Sequence, residues 1–157
     1  MLTWIDFEKA APQIASAGRR LTDPNEVALL ATTSATGRPR LHPFVIKFVE
    51  GRAVAFILTK SAKKKDLDER HFYAIHAMPG EEDEEFMMAG RAICINDDKD
   101  FRSRALKAMG FVTKNDHAET LYEFQIDHAL WTKWQDFGTP DHRPVRKVWR
   151  ATAKRTT

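Results

Sequence analysis

The sequence predicts a mainly β protein: an antiparallel barrel of six or seven strands with a few helices, folded as one domain. Three observations support this. Short runs of β-branched and aromatic residues recur along the chain, turn residues separate several of these runs, and only three segments have helical character. Many closely spaced antiparallel strands with few helices favour a barrel closed on itself.

The composition fits a single globular domain. The chain has 157 residues, of which 43% are hydrophobic and 30% charged, as expected for a core beneath a charged surface. We expect an N-terminal helical segment at 1–22, the barrel at 26–135 and a C-terminal segment at 136–157. No stretch approaches eighteen apolar residues and the N-terminus lacks the apolar core of a secretory signal, so we expect a cytoplasmic protein with no membrane contact.

The charge balance favours an anionic ligand. A formal net charge of +3 does not by itself indicate nucleic acid, because acidic residues are spread through the chain, but it suits a phosphate. The single cysteine, Cys94, excludes an intrachain disulfide, and its apolar neighbours predict a small core residue.

The first elements are a broken helix and three strands. Residues 3–21 are predicted to be helical, with Thr3 as cap, Asp6 three residues on and Pro12 dividing the helix in two. Residues 23–25 suit a turn. Strands are predicted at 27–34, 39–49 and 52–59, and turns at Gly37 and Gly51 would join them into an antiparallel meander.

The second half of the chain continues the pattern. Ser61 suits the N-cap of a helix, and a strand follows at 72–77. After a loop at 79–83, a long strand is predicted at 84–96, with a bulge or bend at Gly90. A helix at 97–109 precedes a strand at 121–134, where Tyr122, Phe124, Ile126 and His128 share one face by alternation. A loop at 137–144 and a short strand at 145–151 end the pattern.

Two segments carry residues suited to a ligand. In LTKSAKKKDL, at 58–67, four lysines crowd the first turn of the predicted helix and oppose its dipole, which favours an anion at the junction; the alternative is a solvated basic patch. In GRPRLHP, at 37–43, Arg40 and His42 point to one side of a strand and could hold a phosphate or flank a polar ring. The alternative there is an exposed edge with a stabilising arginine.

Other residues predict no further chemistry. The segment EEFMMAGRA, at 84–92, requires no ligand, and the histidines form no metal motif because His71 and His76 are five residues apart. The four tryptophans, Trp4, Trp131, Trp134 and Trp149, suit core or dimer-interface positions, and one could instead cover a planar cofactor.

The ordered set VALLATTSATGRPRLHPF, SAKKKDL, EEFMMAGRA and LYEFQIDHALWTKW resembles the pyridoxamine 5'-phosphate oxidase-like family of FMN-binding split barrels. The resemblance covers most of the chain. It implies a homodimer with FMN at the interface and a small-molecule substrate, without nucleic acid. By this resemblance the flavin ring would contact Arg40, Leu41, His42 and Pro43. The ribityl chain would lie near Thr59 and Lys60. The phosphate would be held by Ser61, Lys63 and Lys64. The partner subunit would add the strand at Glu85 and an aromatic such as Trp131 or Trp149.

The sequence also departs from the family pattern. Ala62 follows Ser61 where the oxidase carries an Arg-Lys pair, and Glu85 stands where the oxidase has a glutamine. The C-terminal segment that binds pyridoxal phosphate is not recognisable. The resemblance therefore favours an FMN-dependent oxidoreductase of unknown substrate over a vitamin B6 oxidase. The alternatives are a deazaflavin-dependent reductase, a cofactor-free dimer, and a non-catalytic flavin or haem binder with His42 or His76 as axial ligand.

Overall fold

Eight strands and four α-helices make up the part of the chain that the computed structural model describes, residues 1–23, 27–110 and 118–152. The mainly β split-barrel class is confirmed, but there are eight strands rather than six or seven. The strands are β1 Val27–Thr33, β2 Pro39–Val45, β3 Lys47–Val49, β4 Arg52–Leu58, β5 Phe72–Ala77, β6 Glu85–Cys94, β7 Glu119–Gln135 and β8 Arg143–Arg150. The helices are α1 Trp4–Ala10, α2 Pro12–Thr22, α3 Ala62–Arg70 and α4 Lys99–Met109, and Glu81–Asp83 forms a 3₁₀ turn within the predicted loop. The predicted turn at 23–25 lies mostly outside the described residues.

The eight strands form one sheet whose hydrogen-bonded path is open. The order is β2-β1-β5-β6-β7-β4-β3, and β8 pairs with β7. The predicted closed barrel and simple meander are therefore wrong in detail, because β2 and β3 lie at opposite ends of the path. They are nonetheless consecutive in the chain, separated only by Ile46, which is 2% exposed. A break at this buried residue divides the predicted strand at 39–49 and lets its halves pair with different neighbours, β1 and β4.

The N-terminal helices pack on the core as their sequence predicts. The Thr3 hydroxyl accepts a hydrogen bond from the Asp6 N–H at 3.4 Å, and Pro12 occupies the first turn of α2. Helix α2 lies close to β6, because a Cβ at Gly18 would stand 2.6 Å from the Phe86 ring. The helices therefore cover the inner face of the sheet, the face whose side chains form the core.

A bulge interrupts the pairing of β6 with β7 beside Gly90, as predicted. The pairing register shifts between Ala89 and Gly90, where a Cβ would collide with the Gln125 carbonyl oxygen. Asp127 is the extra residue of β7, so Ile126 faces the core while His128 lies opposite Ala89 and is half-buried. The prediction that His128 shares the face of Ile126 is therefore wrong.

The outer face of the sheet carries two rows of mostly apolar side chains across β2, β1, β5, β6 and β7. These residues alternate with core positions and are half-buried or exposed. In register, the rows are Pro43, Leu29, His76, Met87 and Leu130, and Leu41, Ala31, Ala74, Ala89 and His128. We call these ten residues the outer apolar face.

Cys94 is exposed, so the prediction that it lies in the core is wrong. It ends β6, whereas the pairing of β5 with β6 stops at Arg91. The last residues of β6 therefore lack a neighbouring strand on that side. No helix in the described ranges is long and apolar enough to cross a membrane.

Candidate functional site

The predicted site strand divides its residues between two faces. In β2 the side chains of Arg40 and His42 are half-buried on the inner side, as their spacing predicts, whereas Leu41 and Pro43 are exposed on the outer side. Leu41 is 63% exposed. Since β2 is an end of the sheet path, its second edge pairs with no described strand. The four side chains therefore cannot all contact one face of a planar ligand.

Arg40 is held by a buried carboxylate. Its Nη1 lies 3.0 Å from both oxygens of Asp66, which also accepts a hydrogen bond from the Thr32 hydroxyl at 2.8 Å. Asp66 is 2% exposed, so this pair ties α3 to both β1 and β2. In the sequence, the only signal that Asp66 offers is its position three residues after Lys63 and next to the apolar Leu67.

Lys63 joins the strand to the helix. Its ammonium donates a hydrogen bond to the Pro43 carbonyl oxygen at 3.3 Å, and burial lowers the pKa of Lys63 below its ordinary value. The other lysines differ: Lys64 is paired with Asp68 at 2.6 Å and Lys65 with Glu69 at 3.9 Å. In the described structure, no carboxylate comes within ion-pair distance of Lys63 or of the exposed Lys60.

His42 lies next to this unneutralised lysine. Its Nε2 is enclosed and has no hydrogen-bond partner among the residues described. The pKa of His42 is lowered, first by burial and then by the positive charges of Lys63 and Arg40, although Asp66 opposes the shift. The junction of β2 and α3 thus has an excess of positive potential, which an anion would offset.

Ser61 shapes the turn that precedes α3. As predicted, it is the N-cap: its hydroxyl accepts a hydrogen bond from the Lys64 N–H at 3.3 Å and donates one to the Leu58 carbonyl at 2.7 Å. The N–H groups of Ala62 and Lys63, in the first turn, have no intrahelical acceptor. An open depression of about 360 Å³ lies here, lined by Thr59, Lys60, Ser61, Lys64, Lys65, Asp68 and Glu69.

Contacts made by Thr59 and by α3 tie this junction to β7 and to the residue before it. The Thr59 N–H donates a hydrogen bond to the Ala118 carbonyl at 2.8 Å. The Tyr122 hydroxyl donates a short hydrogen bond to Asp68. Burial raises the pKa of Asp68, but hydrogen bonds from Lys64 and Tyr122 outweigh it and hold that pKa below its ordinary value. The sequence does not reveal this pair, because Tyr122 and Asp68 are 54 residues apart in the chain.

Glu85 and Trp131 lie at the other end of β7 from the Ser61 turn. Leu58, before the turn, is opposite Glu119 at the start of β7, whereas Glu85 is opposite Thr132. Trp131 lies opposite Phe86, one position along, and therefore on the inner face, whereas Glu85 is on the outer face. Within one chain the structure brings neither residue to the basic turn. Their predicted role as residues of the partner subunit stays a prediction.

Trp149, the alternative aromatic, packs on the core. Its ring centre lies 5.1 Å from that of Phe7, in α1.

In the described part of the chain, no group of three or more His, Cys, Asp or Glu side chains is placed to hold a metal ion. At the junction of β2 and α3, the charges of Lys63 and Lys60, which no described carboxylate offsets, suit the binding of an anion.

Comparisons with known proteins extend the description of the fold. No family model matches the sequence, and no curated protein matches it. A pyridoxamine 5'-phosphate oxidase-related, FMN-binding protein from Nostoc punctiforme has a similar structure, with a TM-score of 0.62 and 15% identity over 90% of this chain and 96% of that chain.

Two haem proteins are also similar in structure. A haem-binding protein from Mycobacterium smegmatis has a TM-score of 0.63 and 17% identity over 84% of this chain, which spans 57% of that protein. The haem storage protein HutZ from Vibrio cholerae has a TM-score of 0.59 and 15% identity, covering 74% of this chain and 89% of that chain. Identities this low show the fold alone. The chain has the split-barrel fold of the pyridoxamine 5'-phosphate oxidase-like proteins.

Proposed function

We propose that the chain is an FMN-binding oxidoreductase, which holds the flavin at the interface of a homodimer and acts on a small-molecule substrate. The observation that carries the proposal is Lys63, a half-buried lysine at the contact of β2 with the first turn of α3. Within the described residues it has no carboxylate partner. The fold shared with the FMN-binding protein from Nostoc punctiforme supports a flavin as the ligand.

The residues at this contact fit the phosphate end of FMN. Lys63 and Lys60 carry charges that no described carboxylate neutralises, and the first N–H groups of α3 have no acceptor within the helix. A phosphate accepts hydrogen bonds from charged donors and from backbone N–H groups. Ser61 and Lys64 fit a supporting role, because the Ser61 hydroxyl is engaged within the turn and Lys64 is paired with Asp68.

The outer apolar face supports the homodimer. Its two rows of half-buried and exposed side chains run across five strands. Leu41 and Pro43 lie at its edge, and the Pro43 carbonyl accepts a hydrogen bond from Lys63. A second copy of the chain would bury this face, since apolar surface removed from water contributes roughly 25 cal/mol per Å². A flavin bound at the edge of β2 would then lie between the two copies.

FMN, when bound, supplies the redox chemistry itself. The chain's residues bind and orient it. Lys63 and the α3 backbone hold the phosphate, whereas Leu41 and Pro43 offer apolar surface that excludes water from the ring. Arg40, which Asp66 holds beneath β2, supports the strand from its inner side.

The test is the absorption spectrum of the purified protein, followed by titration of the apoprotein with FMN and with riboflavin. We expect a flavin spectrum, and mass spectrometry of the extracted cofactor would separate FMN from a deazaflavin. Lys63→Gln should weaken FMN binding about tenfold, because a charge-assisted bond to the phosphate is lost, while riboflavin binding should change little.

The matched control is Lys107→Gln, which removes the same charge at an exposed lysine of α4 that does not line the depression at Ser61. It should leave FMN affinity unchanged within about twofold. A colourless protein that takes up no FMN contradicts the proposal, as does equal FMN affinity in the Lys63→Gln variant and the unmodified chain.

One observation favours haem as a second candidate. The His76 Nδ1 lies 2.6 Å from the Ala77 carbonyl, and because a carbonyl only accepts, Nδ1 carries the proton and Nε2 is left as the ligating nitrogen. His76 lies on the outer apolar face between Leu29 and Met87. A Soret band that His76→Ala removes would favour haem binding, whereas a flavin spectrum with no haem uptake contradicts it.

A further inference from the structure

The His42 imidazole lies near Lys63, at the contact of β2 with α3. It is half-buried on the inner side of β2, and its Nε2 is enclosed without a hydrogen-bond partner among the described residues. The carbonyl of the next residue, Pro43, accepts a hydrogen bond from the Lys63 ammonium at 3.3 Å. In β1 the buried Leu30 pairs with His42. The imidazole is therefore partly shielded from water and close to a positive charge.

Among the described residues, three charged side chains act on His42. Helix α3 contributes Lys63 and Asp66, and β2 itself contributes Arg40. Arg40 and Asp66 lie 3.0 Å apart and offset each other's charge. Lys63 has no carboxylate within ion-pair distance in the part of the chain that the structure describes. While the imidazole is neutral, this group of side chains therefore has one unbalanced positive charge.

This environment keeps His42 neutral near pH 7 in the free protein. The pKa of His42 is lowered first by burial and then by the positive charge of Lys63; Asp66 raises it in part, and Arg40 lowers it. A bound anion would change the contribution of the charges. A phosphate monoester carries a charge of about −1.5 to −2 at pH 7, which more than offsets one unbalanced positive charge. A proton on His42 would then restore neutrality.

We infer that binding of the FMN phosphate at Lys63 draws a proton from the solvent onto the His42 imidazole. This inference rests on the proposed function, because it takes FMN as the ligand. The Lys63 ammonium and the His42 imidazolium would together balance a doubly charged phosphate. Since binding and protonation are linked, the contribution of His42 strengthens FMN binding as the pH falls and weakens it as the pH rises. His42 thus makes retention of the cofactor sensitive to pH.

The flavin ring acts on His42 in the opposite direction to the phosphate. A ring that lies against β2 excludes water from the imidazole, and further burial disfavours its charged form. Riboflavin has the same ring and ribityl chain but no phosphate. The difference between the FMN complex and the riboflavin complex therefore isolates the effect of the phosphate on His42.

The test is an NMR titration of the His42 imidazole in the whole protein, saturated in turn with FMN and with riboflavin. We expect His42 to bind a proton about tenfold more tightly in the FMN complex than in the riboflavin complex. Equal proton affinity in the two complexes overturns the inference and leaves the proposed function intact. A protein that takes up no FMN contradicts the proposed function and this inference together.

Lys63→Gln tests the coupling without any flavin. The variant lacks the ammonium that disfavours the imidazolium, so its His42 should bind a proton about two- to fivefold more tightly than in the unmodified chain. The control Lys107→Gln, at an exposed lysine of α4, should leave the proton affinity of His42 unchanged. The same proton affinity in Lys63→Gln and in the unmodified chain overturns the inference.

The pH dependence of FMN affinity gives a further measurement. The FMN phosphate itself titrates near about pH 6, but it does so in every variant. The ratio of the dissociation constants of His42→Asn and the unmodified protein therefore reports on His42 alone. This ratio should be about three- to fivefold larger at about pH 5.5 than at about pH 8.

The control for this measurement is His142→Asn, at an exposed histidine of the loop between β7 and β8. Its ratio to the unmodified protein should not vary with pH. A ratio for His42→Asn that is constant within about twofold overturns the inference. If His42→Asn does not fold, as judged by circular dichroism, the two NMR comparisons decide.

Discussion

The hydrogen-bonded pair of Asp66 and Arg40 offers a quantitative test of how α3 is held beneath β2. Asp66 is 2% exposed and accepts from the Thr32 hydroxyl and from Arg40. Asp66→Asn keeps the shape and one acceptor oxygen, which can still serve Thr32, but turns an amide N–H₂ toward the guanidinium. One charge-assisted interaction is therefore lost, and a bond of this kind contributes about 1.5–3 kcal/mol.

The expected loss in the free energy of unfolding is about 2 kcal/mol, near the lower end because the Arg40 side chain is 39% exposed and can turn toward water. For a chain of this length that corresponds to a fall in Tm of about 4–8 °C. Urea unfolding followed by circular dichroism measures the free energy directly. The control Glu69→Gln, at an exposed acid of the same helix, should stay within about 0.5 kcal/mol of the unmodified protein.

A double-mutant cycle separates the pair from its surroundings. Arg40→Met leaves the buried carboxylate with Thr32 alone and should cost about 3 kcal/mol, whereas the double variant should cost less than the sum of the two. The coupling should be about 1–2 kcal/mol. A loss below about 0.5 kcal/mol for Asp66→Asn, or additivity within that margin, would refute the reasoning.

Two further predictions concern the bulge and His42. Gly90→Ala places a Cβ against the Gln125 carbonyl and should destabilise the protein by about 2–3 kcal/mol in urea unfolding; an unchanged midpoint would show that the bulge can open. His42 has a lowered pKa in the folded chain, so the unfolded chain binds more protons between that pKa and about 6.5. Stability without FMN should therefore rise with pH up to about 6.5 and then level off. His42→Asn should remove this contribution, and a Tm difference from the unmodified chain that stays constant from about pH 5 to 8 would contradict it.

Much of the fold could be predicted because its signals are local. The cap at Thr3, the division of the first helix at Pro12, the cap at Ser61 and the bulge at Gly90 each depend on residue type within one or two turns of chain. The break at Ile46 could not be predicted, because an apolar residue in an apolar run carries no signal for where a strand changes partners. The exposure of Cys94 follows from where β5 stops, which is a property of the neighbouring strand.

The candidate site divides in the same way. Alternation alone places Arg40 and His42 on one side of β2 and Leu41 and Pro43 on the other. The side of β2 that faces the core depends on the packing of α3 against β1 and β2. The same packing brings Asp66 within hydrogen-bonding distance of Arg40. The four lysines around Ser61 look alike in sequence, and only the positions of Asp68 and Glu69 distinguish the neutralised ones from Lys63.

The sequence by itself determined the mainly β class, the order of the elements, the basic turn at Ser61 and the anion that such a turn favours. These properties follow from periodicity, capping and charge, which act between residues close in the chain. The tertiary structure alone decided that β2 and β3 lie at opposite ends of one sheet, that Lys63 is without a described carboxylate partner, and that the Trp131 indole N–H donates to Glu84. Those properties depend on contacts between residues far apart in sequence, where burial and pairing are settled by packing.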